Sequence, residues 1–212
     1  VAVECGTPAP PTGALSNPAV GWVTQRLLEN GGRVLFSEVP DVLDADLLAE
    51  RAADAQTAAD LRALVQRWDE MLTRRGIDLD QVLQGLGPDR TQRARAALAK
   101  VGSGKIQGLV GFSQAPPREG LFMMETPEND VESVTGMVSG GAAVVLFTSG
   151  RGNPTGSAVA PVIKITANRD TARLFADHVD VDGSDLEAGS GVEELGRRVM
   201  EALLGVAGGQ ET

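Results

Sequence analysis

Residues 30–38 have the sequence NGGRVLFSE, and residues 140–148 have the sequence GGAAVVLFT. Each stretch begins with a glycine pair that ends a helix, continues as a short apolar run typical of a buried strand, and leaves that strand in a polar loop. Strands that alternate with helices of ten or more residues indicate βαβ units. We therefore predict an α/β fold with three layers and a mainly parallel, Rossmann-like sheet.

Apolar and polar periodicities extend this pattern along the chain. Apolar or β-branched runs predict strands at residues 1–5, 33–37, 106–112, 121–125, 142–148 and 161–166. Helical spacing predicts one helix that begins at an Asn17 cap and ends at Asn30. Further helices are predicted in two pieces within 44–75, and at 89–100, 130–139, 168–178 and 191–206. The acidic stretch 177–185 is expected to be a solvated loop.

The length and composition of the chain exclude several classes of protein. The 212 residues suit one domain, and the net charge of −10, from 29 acidic against 19 basic residues, disfavours binding to nucleic acid or to a membrane surface. One cysteine and one histidine exclude an internal disulfide and a multi-histidine metal site, which indicates a reducing, cytoplasmic location. Because the chain opens without Met, we expect residues 1–212 to be a single domain of a longer polypeptide.

The polar loops at the strand ends predict a binding crevice. In doubly wound sheets ligands bind outside the carboxyl ends of the strands, so the loops at Glu38, Glu125 and Thr148 are expected to converge. The last of these loops is rich in glycine, and the planar fork of Arg151 matches a carboxylate. We predict an anionic small molecule bound by five consecutive residues: Thr148, Ser149, Gly150, Arg151 and Gly152. A glycine-rich surface turn with a solvated arginine is the alternative.

Cys5 ends the first predicted strand and is expected to face the same crevice. There its thiolate could ligate a soft metal ion. An inert, buried cysteine is an equally good interpretation. Because one thiolate with oxygen ligands would be an incomplete site, we expect the isolated domain to hold no metal or to hold it weakly.

Eight segments, in order along the chain, carry a resemblance to a known family. They are ECG at 4–6, SNPAVG at 16–21, GGRVLFSEVP at 31–40, METP at 124–127, VTGMVSGG at 134–141, FTSGRG at 147–152, APVIKI at 160–165 and AN at 167–168. Together they resemble the C-terminal domain of the altronate and galactarate dehydratase family, whose relatives include the large subunit of sulfolactate sulfo-lyase. The matches extend over nearly the whole chain.

The resemblance implies a hydro-lyase that uses a divalent metal, iron or manganese, to eliminate water from a sugar acid. It implies a small-molecule carboxylate as the substrate and a small N-terminal domain or subunit as a partner, and it allows a homo-oligomer. Cys5 falls at the family's Cys-Gly-Gly-Ser-Asp motif, and Arg151 falls in its Thr-Thr-Gly-Arg-Gly loop.

Elimination next to a carboxylate needs a base for the α-proton and positive charge for the developing enediolate. We predict Glu38 or Glu125 as the base, and Lys164 with Arg151 as the cationic groups. Polar residues of the matching segments are added to the predicted substrate-binding set: Asn17, Thr126 and Asn168.

The chain departs from the family pattern at three places. Residues 7–9 are TPA where the family has Gly-Ser-Asp, and Glu128 stands where the family has glycine. Nothing near residues 81–90 matches the family's Asn-Pro-Ser-Pro-Gly-Asn-Lys loop. The alternative function is therefore a divergent, non-catalytic module that binds a small acid or docks a partner domain.

Overall fold

Seven parallel strands form the sheet of the computed structural model, which describes residues 1–6, 10–82, 89–127 and 129–210. The strands are β1 (Ala2–Cys5), β2 (Arg33–Phe36), β3 (Ile106–Val110), β4 (Gly120–Met124), β5 (Val145–Thr148), β6 (Val162–Thr166) and β7 (Val181–Asp182). They lie in the order β3-β4-β2-β1-β5-β6-β7, and each neighbouring pair is parallel. The predicted α/β class and parallel sheet are confirmed.

Helices connect the strands. In the described ranges they are α1 (Asn17–Glu29), α2 (Ala45–Glu50), α3 (Ala55–Arg74), α4 (Leu79–Val82), α5 (Arg90–Leu98), α6 (Asp130–Ser139), α7 (Arg169–Leu174) and α8 (Val192–Ala207). A π-helical turn at Thr12–Ser16 and 3₁₀ turns at Val39–Val42, Ala99–Val101 and Ala176–His178 complete the connections. The predicted division of residues 44–75 into two helices is confirmed. None of the described helices has both the length and the apolar character that a membrane span requires.

Alternate residues of the central strands pack on opposite faces of the sheet. Val3 of β1 and Phe36 of β2 belong to the larger core, which includes apolar residues of α1, α3 and α8. Ala2 and Leu35 belong to the smaller core, which includes Val134 of α6. Helices on both faces therefore produce the three predicted layers.

The start of α1 differs from the prediction. The chain is already helical at Thr12–Ser16, and the backbone of Asn17 has helical angles, with φ −63° and ψ −47°. Asn17 is fully buried, and its side chain bonds to residues distant in sequence. The predicted cap at Asn17 is therefore wrong, because tertiary partners engage this amide in place of the first turn of its own helix.

A second difference lies at the sheet edge. The stretch expected to be a solvated loop contains β7, which pairs with β6 through Val181 opposite Ile165 and Asp182 opposite Thr166. Two residues are too few to show the alternating pattern by which strands are recognised in a sequence. The sequence of β7 therefore contains no local pattern that would predict this edge strand.

The position of β1 at the centre of the sheet creates the place for a site. The chain passes from β1 to β2 on one side and later returns to β5 on the other side. The carboxyl ends of β1 and β5 lie next to each other, with Cys5 opposite Thr148. Such reversals of strand order are where open α/β sheets bind ligands.

Gly21 of α1 provides a test of the packing around the 3₁₀ turn at Ala99–Val101. A Cβ at Gly21 would lie 2.1 Å from the Ala99 carbonyl oxygen, so Gly21→Ala must push α1 away from the turn. We expect a loss of about 3 kcal/mol in the free energy of unfolding, measured by urea denaturation. The control is Gly156→Ala, whose Cβ would meet nothing within 4 Å. Equal stabilities of the two variants would contradict the close contact.

Candidate active site

Three carboxylates meet at the carboxyl edge of the sheet. Glu4 comes from the end of β1, Glu38 from the loop after β2, and Asp130 from the first turn of α6. One oxygen of each lies within 4.8 Å of the others. Glu4 and Glu38 are buried, and Asp130 is half-buried. We call these three residues the carboxylate cluster.

The Glu4 carboxylate has one bonded and one unbonded oxygen. Its Oε2 accepts hydrogen bonds from the Ser133 hydroxyl at 2.8 Å and from the Ser37 hydroxyl at 3.1 Å. Its Oε1 is buried and receives no hydrogen bond from the described part of the chain. A buried oxygen of this kind is costly unless a proton or a cation lies beside it.

The backbone and side chain of Glu38 are both held in place. Its φ is +69°, in the left-handed region that is uncommon for residues other than glycine. Its backbone nitrogen donates to the Thr126 hydroxyl at 3.2 Å. Its Oε2 accepts a hydrogen bond from the Lys100 ammonium at 2.5 Å and another from the backbone nitrogen of Cys5 at 3.1 Å. The predicted substrate-binding residue Thr126 thus lies beside Glu38.

Burial and charge shift the titration of this cluster in different directions. Burial, followed by the charge of Glu38, raises the pKa of Glu4 well above its usual range. Burial also raises the pKa of Glu38, and the Lys100 ammonium limits that rise. Burial disfavours the charged form of Lys100, but the neighbouring acidic groups, Glu38 first among them, together outweigh burial, so the pKa of Lys100 is raised. Lys100 and Glu38 are therefore an ion pair, whereas Glu4 and Asp130 form no ion pair with a cation in the described ranges.

A second buried polar group joins the ends of β1 and β5 to α1. The Asn17 amide donates to Cys5 Sγ at 3.3 Å and to the Ala96 carbonyl oxygen at 2.9 Å. Its oxygen accepts from the Thr148 hydroxyl at 2.6 Å. Burial raises the pKa of the Cys5 thiol to about 12. The predicted residues Asn17, Cys5 and Thr148 are therefore brought together, with their polar atoms bonded to one another.

The glycine-rich loop after β5 is fixed by hydrogen bonds at Ser149 and Gly150, whereas Arg151 is exposed to solvent. The Gly150 carbonyl oxygen accepts from the Thr171 hydroxyl at 2.8 Å, and Ser149 donates its backbone nitrogen to Ile165. Gly152 has φ +81° and lies against the Phe175 ring, where a Cβ would approach to 2.7 Å. Arg151 is exposed and makes no ion pair with a residue in the described ranges.

Lys164 is linked to the carboxylate cluster through one residue. Its ammonium donates to the Asn153 carbonyl oxygen at 2.8 Å, and the Asn153 side-chain amide donates to Asp130. Lys164 is half-buried, and burial lowers its pKa. Two other predicted residues lie apart from this arrangement. The Glu125 carboxylate accepts from Arg67 and Trp68 of α3, and Asn168 caps α7.

An open cleft of about 340 Å³ reaches the cluster. Its lining comes from the loops after β1, β2 and β5 and from the start of α6: Gly6, Glu38, Asn129, Asp130, Val131 and Thr155. The cleft is large enough for a small organic acid. The departures from the family pattern at residues 7–9 and at Glu128, and positions 83–88 of the departure near 81–90, lie outside the described residues.

The cluster fits a divalent cation better than the predicted cysteine does. Its donors are all carboxylate oxygens, the ligands preferred by hard divalent ions, and Glu4 Oε1 has no other partner among the described residues. Cys5 is not a member of the cluster. The described residues thus offer three ligands within one chain, whereas the sequence predicts an incomplete set around Cys5.

Sequence reasoning missed Glu4, Asp130 and Lys100. Lys100 follows the arginine-rich helix α5, so it reads as a solvated helix end, and Asp130 reads as a favourable charge in the first turn of a helix. A signal was available for Glu4, because a charge inside a short apolar strand needs a partner.

Comparison with known proteins confirms the family resemblance that the sequence predicts. Residues 1–212 match the family model described as D-galactarate/altronate dehydratase, C-terminal. The chain is 30% identical to galactarate dehydratase (L-threo-forming) of Escherichia coli strain K12 and 28% identical to the (2R)-sulfolactate sulfo-lyase subunit beta of Chromohalobacter salexigens. It is 25% identical to altronate dehydratase of Escherichia coli strain K12. These matches cover 99% or more of this chain but 42%, 57% and 43% of the three relatives, so the chain spans about half their length.

Cys5 is expected to resist alkylation in the folded protein. It is 1% exposed, and at about pH 8 a thiol with a pKa of about 12 is almost entirely protonated, whereas the thiolate is the reactive form. Iodoacetamide should modify it only after unfolding in urea, as measured by mass spectrometry. Rapid modification of the folded protein would show that the thiol is accessible and ionised.

Proposed function

The chain belongs to the D-galactarate/altronate dehydratase family, matching its C-terminal part, and on this basis we propose that it is a dehydratase-type lyase domain. Its substrate would be a small hydroxylated carboxylic acid such as a sugar acid, because the relatives include galactarate and altronate dehydratases. The observation that carries this proposal is the carboxylate cluster at the floor of an open cleft, beside the central strand of the sheet.

We propose that Glu4, Glu38 and Asp130 hold a divalent cation, iron or manganese. The buried Glu4 Oε1 supports this assignment, because a cation would supply the partner that this oxygen lacks in the described structure. When bound, such an ion supplies a Lewis acid that stabilises the negative charge developing on the substrate carboxylate. Lys100 keeps Glu38 in place by donating a hydrogen bond to its Oε2.

Lys164 is the proposed base, which leaves Glu38 to the cation. Burial lowers the pKa of Lys164, so its neutral form, which can accept a proton, is more populated than in an exposed lysine. It takes the proton from the carbon next to the carboxylate as the double bond forms and the neighbouring C–O bond breaks. It returns that proton to the departing hydroxyl, so water leaves and the enol rearranges to a keto acid. Glu125 is a weaker candidate, because both of its oxygens accept hydrogen bonds from α3.

Arg151 is the proposed contact for the substrate carboxylate. Arg151 is exposed and lies in the loop that follows β5, next to the central strand of the sheet. It has no ion-pair partner within the described ranges. Its glycine neighbours leave the guanidinium accessible, and a guanidinium can bind a carboxylate with two parallel hydrogen bonds. The Thr171 and Phe175 contacts hold the flanking glycines while leaving Arg151 open.

The variant Lys164→Met distinguishes the role of the base from the role of the cation ligands. We expect kcat on an active acid to fall about 100-fold or more, as is usual for loss of a general base, while Mn²⁺ affinity measured by calorimetry stays unchanged. Glu4→Gln should weaken Mn²⁺ binding itself. The control is Lys105→Met, since Lys105 is exposed and donates only to the Glu50 carbonyl oxygen among the described residues. Assays use the protein with Fe²⁺ or Mn²⁺ and a panel of aldarates, aldonates and sulfolactate, with keto-acid products identified by mass spectrometry.

Two outcomes would contradict this scheme. Full activity of Lys164→Met would remove Lys164 as the base and return that role to Glu38. Thermal stabilisation of the protein by an acid of the panel, with no product from any of them, would favour the non-catalytic binding module.

Arg151→Lys tests the substrate contact. Lysine keeps the charge but loses the planar fork, so we expect kcat/KM to fall about ten- to a hundredfold. The melting temperature should be unchanged because Arg151 is exposed. A variant that melts well below the parent protein and keeps full kcat/KM would instead make Arg151 a structural residue.

A further inference from the structure

Lys100 is a buried cation fixed beside the carboxylate cluster. It lies in the 3₁₀ turn Ala99–Val101, and none of its surface is exposed. Its ammonium is 2.5 Å from Glu38 Oε2. Its backbone oxygen accepts from the Thr24 hydroxyl of α1 at 3.0 Å, and Gly21 packs directly on the neighbouring Ala99. The lysine therefore cannot move away from the cluster without displacing α1.

Lys100 changes the net charge that the cluster presents. Three carboxylates carry −3 when ionised, and the ammonium adds +1, which leaves −2. Asp130 also receives a hydrogen bond from the Asn153 amide, which is neutral. The next cation, Lys164, is half-buried and bonded to the Asn153 carbonyl oxygen. Lys100 is thus a buried cation in direct contact with the cluster.

We propose that Lys100 tunes the charge specificity of this site: by lowering the charge of the ionised cluster from −3 to −2, it shifts the relative affinity of the cluster away from trivalent and towards divalent cations. The inference rests on the proposed function only in taking the cluster as the cation site. It assigns to a residue outside the ligand set the choice between ions of different charge.

Coulomb's law gives the expected size of the effect. The repulsion between Lys100 and a bound ion grows in proportion to the charge of that ion. A trivalent ion is therefore repelled more than a divalent ion, by the interaction energy of one additional unit of charge. At a separation of a few ångströms in a protein interior, one unit of charge changes a relative affinity by about tenfold or more. Both ions displace the same protons from the carboxylates, so the ratio of their affinities reports the charge of the site and cancels proton competition.

The test compares La³⁺ with Mn²⁺ by titration calorimetry at fixed pH. In Lys100→Met we expect the affinity ratio of La³⁺ to Mn²⁺ to rise about tenfold or more over the parent protein. Lys105→Met, which removes an exposed lysine, should leave the ratio unchanged. Weakened binding of both ions in Glu4→Gln would locate them at the cluster.

A second pair of variants covers the case in which Lys100→Met does not fold. Lys100→Met combined with Glu38→Gln removes both members of the ion pair and keeps the net charge at −2, whereas Glu38→Gln alone leaves −1. The double variant should therefore have a ratio about tenfold or more above that of Glu38→Gln, and close to that of the parent protein.

The outcomes separate this inference from the proposed function. A ratio that does not depend on Lys100 in either comparison would overturn the inference and leave the cation site intact. Absence of Mn²⁺ and La³⁺ binding to the parent protein would overturn the cation site of the proposed function and, with it, the role of Lys100.

Discussion

The buried ion pair between Lys100 and Glu38 is the interaction on which the candidate site depends. It joins the turn after α5 to the loop after β2, and the bond from the Cys5 backbone nitrogen to the same Glu38 oxygen adds β1. Charges removed from water persist only when they are paired, and breaking such a pair costs about 3–5 kcal/mol because the remaining charge stays buried. These bonds, with the one to Thr126, offset the strain of the left-handed backbone at Glu38.

The polar atoms around the cleft fall into two groups. Those of Asn17 and Thr148 are bonded to other residues of the protein, so they connect β1, β5 and α1. Glu4 Oε1 and the Arg151 guanidinium lack such partners in the described ranges, one buried beneath the cleft and the other exposed beyond the end of β5. A site that must bind an ion and an acid needs unbonded groups of this kind, held by a framework whose own hydrogen bonds are complete.

The fold was largely predictable because its signals are local. Glycine pairs at Gly31 and Gly140 mark where α1 and α6 end, and these helix ends and the start of β2 at Arg33 are confirmed, whereas β5 begins at Val145, three residues after its predicted start. The site was less predictable because its members come from distant parts of the chain and only the sheet brings them together. Lys100 and Glu38 are 62 residues apart, and nothing near Lys100 distinguishes it from a solvated lysine. Asn17 shows the opposite error, since its local sequence suggests a cap and its actual partners are tertiary.

The central place of β1 also bears on how the protein is made. Ala2–Cys5 is synthesised before the other six strands of this sheet, yet one of its two neighbours, β5, begins only at Val145. Until that segment is synthesised, one edge of this buried central strand has no partner. Pairing across so many residues is slow to form, and an unpaired apolar strand can associate with other chains. The arrangement that places the carboxylates of Glu4 and Glu38 side by side therefore makes burial of the central strand depend on a segment synthesised about 140 residues later.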